Sequence, residues 1–296
     1  MNRKTIAWAI VALWLIGLAL LYRRSTFRSP EQSLAESGMR VSPATYYYRL
    51  DQGAAQVGVA SSSIDTTTTR LIATDFLRAA IPSGKHIFRF QVRSEARFTR
   101  ALSLQDFLLK VEGDLTPYLL RGVVQGEGTS RRLQITTEPL KKRPTTNAYD
   151  IAGLVFVPTV APLPLMLGKP PVAGSTVASS IYDPLSKSIR NVSLRIEKDS
   201  LFKVTDSASL DSASGRWLKA HEDTVRAWQI TGNVPSTVVW VDASGRMIAA
   251  KVPGGISIMR TAFEIAYENW RIDTQGPRPP AAVKPDSQSR RDSTRK

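Results

Sequence analysis

Apolar and polar residues follow two different rhythms along this chain. From Ile6 to Tyr22 the run is apolar on every side, with no charge, no proline and no strongly polar group. Farther on, apolar and polar residues alternate one by one. Phe88, Phe90 and Val92 point one way while Arg89, Gln91 and Arg93 point the other. Leu133 and Ile135 alternate with Arg132, Gln134 and Thr136, and Val192, Leu194 and Ile196 with Ser193, Arg195 and Glu197. Successive side chains of a strand face opposite ways, so these runs predict half-buried strands with one wet face. That pattern favours antiparallel pairing.

Turn residues divide the strands. Thr237–Asp242, the turn Asp242-Ala-Ser-Gly245 and Arg246–Val252 read as one hairpin. Tyr46–Leu50, the loop Asp51–Gln56 and the run from Val57 read as another. Many short strands between turn signals predict a sheet curled around a core, as a barrel or a sandwich. Helical signals are fewer: a short helix or strand edge at Ser103–Lys110, and a terminal helix over Ala262–Trp270 after a strand at Ile256–Arg260. Leu154–Leu167 breaks the rhythm, being highly apolar and carrying three prolines. Proline removes ladder donors and interrupts helices, so this segment is expected to lie buried without long regular structure. It reads either as a connection packed across the open face of the sheet or as a lid over an apolar cavity. Phe156, Val160, Leu163, Leu165 and Met166 are its candidate cavity residues, with Trp228 and Trp240 as candidate walls. The bland alternative for tryptophans, Trp217 included, is ordinary core.

The N-terminal run predicts a transmembrane helix, since a helix pairs every backbone amide within itself. At about 1.5 Å per residue it spans roughly 25 Å, and the stems of Lys4 and Arg23 extend its reach toward the headgroups. Trp8 and Tyr22 stand near its ends, where amphipathic rings favour the interface. A cleaved signal peptide would need small residues before the cut, whereas Tyr22-Arg23-Arg24 follows here. A core helix would rarely be apolar all round. The expected organisation is an anchor over 1–28, a linker over 29–43, a β-rich domain over 44–270 and a disordered basic tail over 271–296. Basic residues stand on both sides of the anchor, so charge leaves its orientation open.

The net charge of +15 resembles a nucleic-acid signal until it is divided. Residues 1–30 carry +5 and residues 271–296 carry +4, leaving +6 on the body. More than half of the excess thus flanks the domain, and no nucleic-acid-binding signature is present. No nucleic-acid partner is expected; basic tails suit anionic headgroups or wall polymers better. The chain has no cysteine, which excludes disulfides, thiolate metal sites and cysteine nucleophiles. Its two histidines, His86 and His221, form no His-Glu-x-x-His element, and no nucleophile elbow or phosphate-binding Gly-rich loop occurs. No enzyme activity, metal or cofactor is therefore expected. Asp183 before Pro184, and Asp242 before a turn closed by Gly245, read as turn-forming acids.

Several features in order resemble a known group of folds. These are Tyr46–Tyr48 with Gly53 and Val57-Gly58, Leu163-Pro-Leu165, Tyr182-Asp183-Pro184, and Trp240-x-Asp242-x-x-Gly245 leading to Pro253-Gly-Gly255 and Arg260. Over roughly residues 44–270 the chain resembles uncharacterised bacterial envelope domains related to the lipoprotein-localisation (LolA/LolB-like) periplasmic half-barrels. The resemblance implies a curved antiparallel sheet around an apolar concavity that faces the periplasm from the inner membrane. In the localisation proteins that concavity holds acyl chains. Some relatives carry a transglutaminase-like domain behind a similar region, but without cysteine no such catalytic set carries over. The expectation is a mainly β, membrane-anchored, non-catalytic domain that binds an apolar or lipid-like ligand. The alternative is a scaffold that meets an envelope protein partner.

Overall fold

The computed structural model describes residues 38–275, except 40, 127–129, 141–142, 152–154, 158, 168–169, 184–187 and 233–236. The predicted anchor Ile6–Tyr22 lies outside the described residues. Among those described, no helix is long and apolar enough to cross a membrane.

Alternation along the chain becomes one large sheet. Its strands are β1 (Ala44–Gln52), β2 (Ala55–Thr66), β3 (Arg70–Ser83), β4 (His86–Thr99), β5 (Leu104–Gly113), β6 (Tyr118–Gln125), β7 (Arg132–Pro139), β8 (Thr145–Asp150), β9 (Val155–Phe156), β10 (Thr176–Asp183), β11 (Ser188–Asp211), β12 (Arg216–Thr231), β13 (Val238–Asp242), β14 (Met247–Val252) and β15 (Ile256–Thr261). All 15 join one sheet in the order β8-β7-β6-β5-β4-β3-β2-β1-β15-β14-β13-β12-β11-β10-β9. Two meanders therefore meet at a β1–β15 seam, where Tyr48 lies opposite Arg260. Pairing is antiparallel as predicted, apart from a short parallel contact that sets Val155 beside Ser180 and Phe156 beside Ile181.

The sheet curls. Tyr182 on β10 stands 6.2 Å, centroid to centroid, from Tyr149 on β8 and 5.8 Å from Phe107 on β5. Strands from the two ends of the sheet order thus share one interior, and the result is an open, barrel-like sheet. Leu133, Ile135, Val192, Leu194 and Ile196 are buried there in the predicted phase. At the start of β4 the phase holds but the burial does not: Phe88 stays exposed, and Ala96 and Phe98 at the other end of the strand enter the core.

Some expectations change. The first hairpin turns over Gly53-Ala54 alone, with Gly53 at φ 62°, so Asp51, Gln52, Ala55 and Gln56 belong to strands rather than to a loop. Ser103–Lys110 yields strand β5 and no helix. The β4–β5 register shifts so that Arg97 faces Asp106 while Phe98 faces Leu104. The extra residue places Leu104 and Phe107 on one side, a spacing of three that imitates a helical stripe. The hairpin of β13 and β14 forms as read, and the terminal helix follows β15 as a π-helical turn, Glu264–Glu268, continued by α2 (Asn269–Gln275).

That terminal helix covers the outer face. Tyr47, Phe263 and Tyr267 pack edge-on or stacked with centroids 5.1–5.9 Å apart. Asn269 brackets Trp217 near the β11–β12 hairpin tip, accepting from its N–H at 2.9 Å and donating to its carbonyl at 2.8 Å. Arg216 forms a two-pronged pair with Asp273, at 2.6 and 3.0 Å.

Candidate functional site

The Pro-rich segment lies inside the curve of the sheet. Behind the short strand β9 it forms the helix α1 (Leu163–Met166), which begins with Pro162 as cap and Pro164 in the first turn. Proline is tolerated there because the first helical N–H groups have no intrahelical partner anyway. Val160, Leu163 and Met166 are buried in the main apolar cluster, with Leu165 packed partly buried against it. Trp228 belongs to the same cluster, whereas Trp240 joins a smaller one with Val204, Ala227, Ile248 and Ala249, 5.0 Å from the Phe202 ring. Phe156 lies on β9, Asp183 closes β10, and Pro184 is outside the described residues. The structure thus brings Val160, Leu163, Leu165, Met166 and Trp228 together and sets Trp240 apart.

Beside this apolar filling runs a polar layer on the same concave face. Tyr46, Ser62, Asp75 and Ser94 stand opposite one another across β1 to β4. Asp75 shares its strand phase with Leu71 and Ala73, both core residues, so it points inward. Thr159, within the Pro-rich segment, donates to Asp75 Oδ2 at 2.6 Å, and Ser94 donates to the same oxygen at 3.3 Å. Burial raises the Asp75 pKa above the ordinary carboxylate range, an effect only partly offset by hydrogen bonds from Thr159, Ser62 and Ser94 and by the charge of Arg246.

Arg246 is buried, donates to the Ser42 carbonyl at 2.9 Å, and has its own pKa lowered by burial. Arg260 reaches Asp242 Oδ2 at 3.0 Å and lies 4.5 Å over the Tyr46 ring. Tyr48 is buried, donates to the Met247 carbonyl at 3.3 Å, and has its phenol pKa raised by the same burial. Asp242 keeps the predicted turn role: its Oδ1 accepts from the N–H groups of Ser244 and Arg246 at 2.9 and 3.0 Å. Gly245 adopts φ +75° there, and a Cβ in its place would come within 2.7 Å of Leu163 Cδ2. The β13–β14 turn is thereby fitted against the Pro-rich segment.

Tyr46, Tyr48, Asp242 and Arg260, scattered along the sequence, thus gather at one place. Asp75, Ser94, Thr159 and Arg246 were not foreseen. The available signal was an acid in the inward phase of Leu71-x-Ala73-x-Asp75-x-Leu77, where an apolar residue belongs. In this layer the hydroxyls donate to a carboxylate. The histidines stand elsewhere: His86 is exposed at the start of β4, and His221 lies exposed mid-strand on β12 rather than at a turn. On that surface Asp206, His221 and Asp223 place their ligand atoms within 4.8 Å of one another, a spacing that suits a metal ion. His221 Nδ1–H donates to Asp206 Oδ1 at 3.0 Å, which raises the imidazole pKa and accounts for this cluster as an ion pair.

Asp75 gives a pH prediction. Because its pKa is raised on folding, the folded state binds this proton more tightly than the unfolded chain does. Its stabilising contribution is full below the unfolded value of about 3.9 and is lost as pH rises through the folded value. Asp75→Asn, which retains an acceptor for Thr159, is expected to remove this loss and to be the more stable form at neutral pH. Denaturation midpoints of the two forms should diverge as pH rises above 4, and parallel profiles would contradict the assignment.

No family model matches the chain, and no curated protein matches it. Among solved structures, a beta-barrel-like protein of domain of unknown function DUF1849 from Brucella abortus aligns with a TM-score of 0.47. It shares 13% identity over 75% of this chain and 95% of that one. The curved β fold rests on this chain's own strand pairing.

Proposed function

We propose that this chain is a non-catalytic envelope domain, tethered in the inner membrane by Ile6–Tyr22 with its β domain in the periplasm. It binds an apolar or lipid-like ligand in the concavity of its half-barrel, in the manner that the resemblance to the lipoprotein-localisation domains implies. The observation that carries this reading is the position of Val160, Leu163 and Met166 within the curve of the sheet. They form an apolar filling that belongs to an irregular segment and not to a strand. The four-residue helix α1 is too short to be stable by itself, so packing alone keeps it in place. An acyl chain offers the same apolar surface, and its entry would displace this segment and break the Thr159–Asp75 hydrogen bond.

Native mass spectrometry of residues 38–275, produced in bacteria without detergent, tests the reading. The expected result is one bound lipid per domain, lost when Val160→Asp places a charge in the filling. A ligand-free domain that takes up no added fatty acid or phospholipid would overturn it. A second reading, a scaffold for an envelope partner, draws on the β11–β12 arm, where Leu201, Leu210 and Leu218 are exposed. A ligand-free domain whose arm crosslinks to one partner in native membranes would decide for that alternative.

A further inference from the structure

Away from the concave face, the outer surfaces of β3, β4 and β5 form a groove with α2. Its volume is about 470 Å³, and Arg78, Arg89, Gln91, Glu112, Gly113 and Trp270 contribute to its walls. The size falls within the roughly 300–1,000 Å³ typical of small-ligand sites. Arg89 lies opposite Ala80, and Arg78 opposite Gln91, so the two arginines are diagonal neighbours on one face. Such positions are about 7–8 Å apart, close enough for long side chains to converge on one group.

The Arg78 side chain and the Arg89 backbone are held in place. The guanidinium of Arg78 lies 5.5 Å over the ring of Trp270, which is itself buried. The backbone of Arg89 is clamped from both sides by Asp114: Arg89 N–H donates to Asp114 Oδ2 at 2.8 Å, and Asp114 N–H donates to the Arg89 carbonyl at 2.7 Å. The acid of the groove is already occupied, since Glu112 is paired with Lys110 at 2.7 Å and accepts from Gln91 at 3.4 Å. Among the described residues, neither the Arg78 nor the Arg89 guanidinium has a carboxylate within ion-pair distance. Among the described residues, two arginines therefore share a groove with no carboxylate in ion-pair contact with either of them.

We propose that this groove binds an organic phosphate. A carboxylate has two oxygens, which a single guanidinium fork satisfies. Two forks approaching from different strands match the several terminal oxygens of a phosphate, and the rest of the groove leaves room for the group that carries it. A lipid headgroup and a soluble phosphate ester share this chemistry. The site is independent of the concave face, so its success or failure leaves the preceding proposal untouched.

Calorimetric titration of the full chain, held in phosphatidylcholine nanodiscs, tests it with three water-soluble probes: glycerol 3-phosphate, dihexanoyl phosphatidylglycerol and succinate. At least one phosphate probe is expected to bind, and succinate to bind at least tenfold more weakly. Arg89→Ala, exposed and with its backbone clamp retained, should weaken phosphate binding at least tenfold. Arg78→Lys should give an intermediate loss, since lysine keeps the charge but not the fork. Arg132→Ala, on the distant strand β7, should leave binding unchanged. Binding of glycerol 3-phosphate identifies a soluble ester, and binding of the lipid alone identifies a headgroup. Binding of neither phosphate, equal binding of succinate, or binding indifferent to Arg89→Ala overturns the proposal.

Discussion

Replacing Asp242 with alanine is expected to destabilise the domain by about 3–5 kcal/mol, the usual cost of removing one partner from a buried ion pair. The carboxylate acts at both of its oxygens. Through Oδ1 it accepts from the Ser244 and Arg246 N–H groups and from the Ser244 hydroxyl, which closes the turn between β13 and β14. Through Oδ2 it holds Arg260, and both side chains are shielded, at 14% and 12% exposure. Alanine would release the turn donors and leave a shielded guanidinium facing Tyr46 with no anion. Asp242→Asn separates these roles, because the amide oxygen can still close the turn while the ion pair is lost. Asparagine is therefore expected to cost less than alanine. A double-mutant cycle between Asp242→Asn and Arg260→Met should give a coupling of at least about 1 kcal/mol. Urea denaturation followed by tryptophan fluorescence would check both values. A loss below about 1 kcal/mol for Asp242→Ala would make this a surface turn and nothing more.

Leu163→Ala is the second large effect, expected at about 2–5 kcal/mol for a leucine truncated in a core. Leu163 is 1% exposed and touches both the apolar cluster and the close-fitted Gly245 turn. Its neighbour Leu165 packs only partly buried, so Leu165→Ala should cost clearly less. The ratio matters for function as well as for stability. If the filling stands where a ligand chain goes, Leu163→Ala should weaken the segment's hold on the concavity and strengthen uptake of a fatty acid while lowering the denaturation midpoint. Lower stability with unchanged uptake would mark the segment as ordinary core.

Local chemistry explains which of these features were legible in the sequence. Alternation at Leu133–Ile135 and Val192–Ile196 gave strand phase directly, because one face of each strand meets the core and the other meets water. The Asp242–Gly245 turn was equally readable, since a side-chain acceptor and a residue free to take positive φ are both local requirements. Strand β5 was ambiguous because its register shift placed buried residues three apart. The β1–β15 seam had no local signal, since nothing near Tyr48 in sequence indicates Arg260 as its neighbour. The polar layer was hidden for the same reason. Asp75 carries a signal only in its inward phase, while Ser94 and Thr159 look like ordinary strand or loop residues until the fold brings them within hydrogen-bond reach of it. Arg89 was legible as part of a wet face, whereas Arg78 was not singled out, and the ring it stacks on, Trp270, comes from a distant part of the chain.

The seam also governs when the domain can finish folding. Within each meander every strand pairs with its sequence neighbour, whereas Gln52 reaches the Gly254 carbonyl 202 positions away. Contacts that close such long loops form slowly, because the chain loses loop entropy before the contact forms. During synthesis, β1 waits with one edge unpaired until β15 emerges, and a free edge is a template for mispairing with another chain. The first meander is thus exposed to aggregation for most of the chain's production. A truncation ending before Ile256 would hold it permanently in that state.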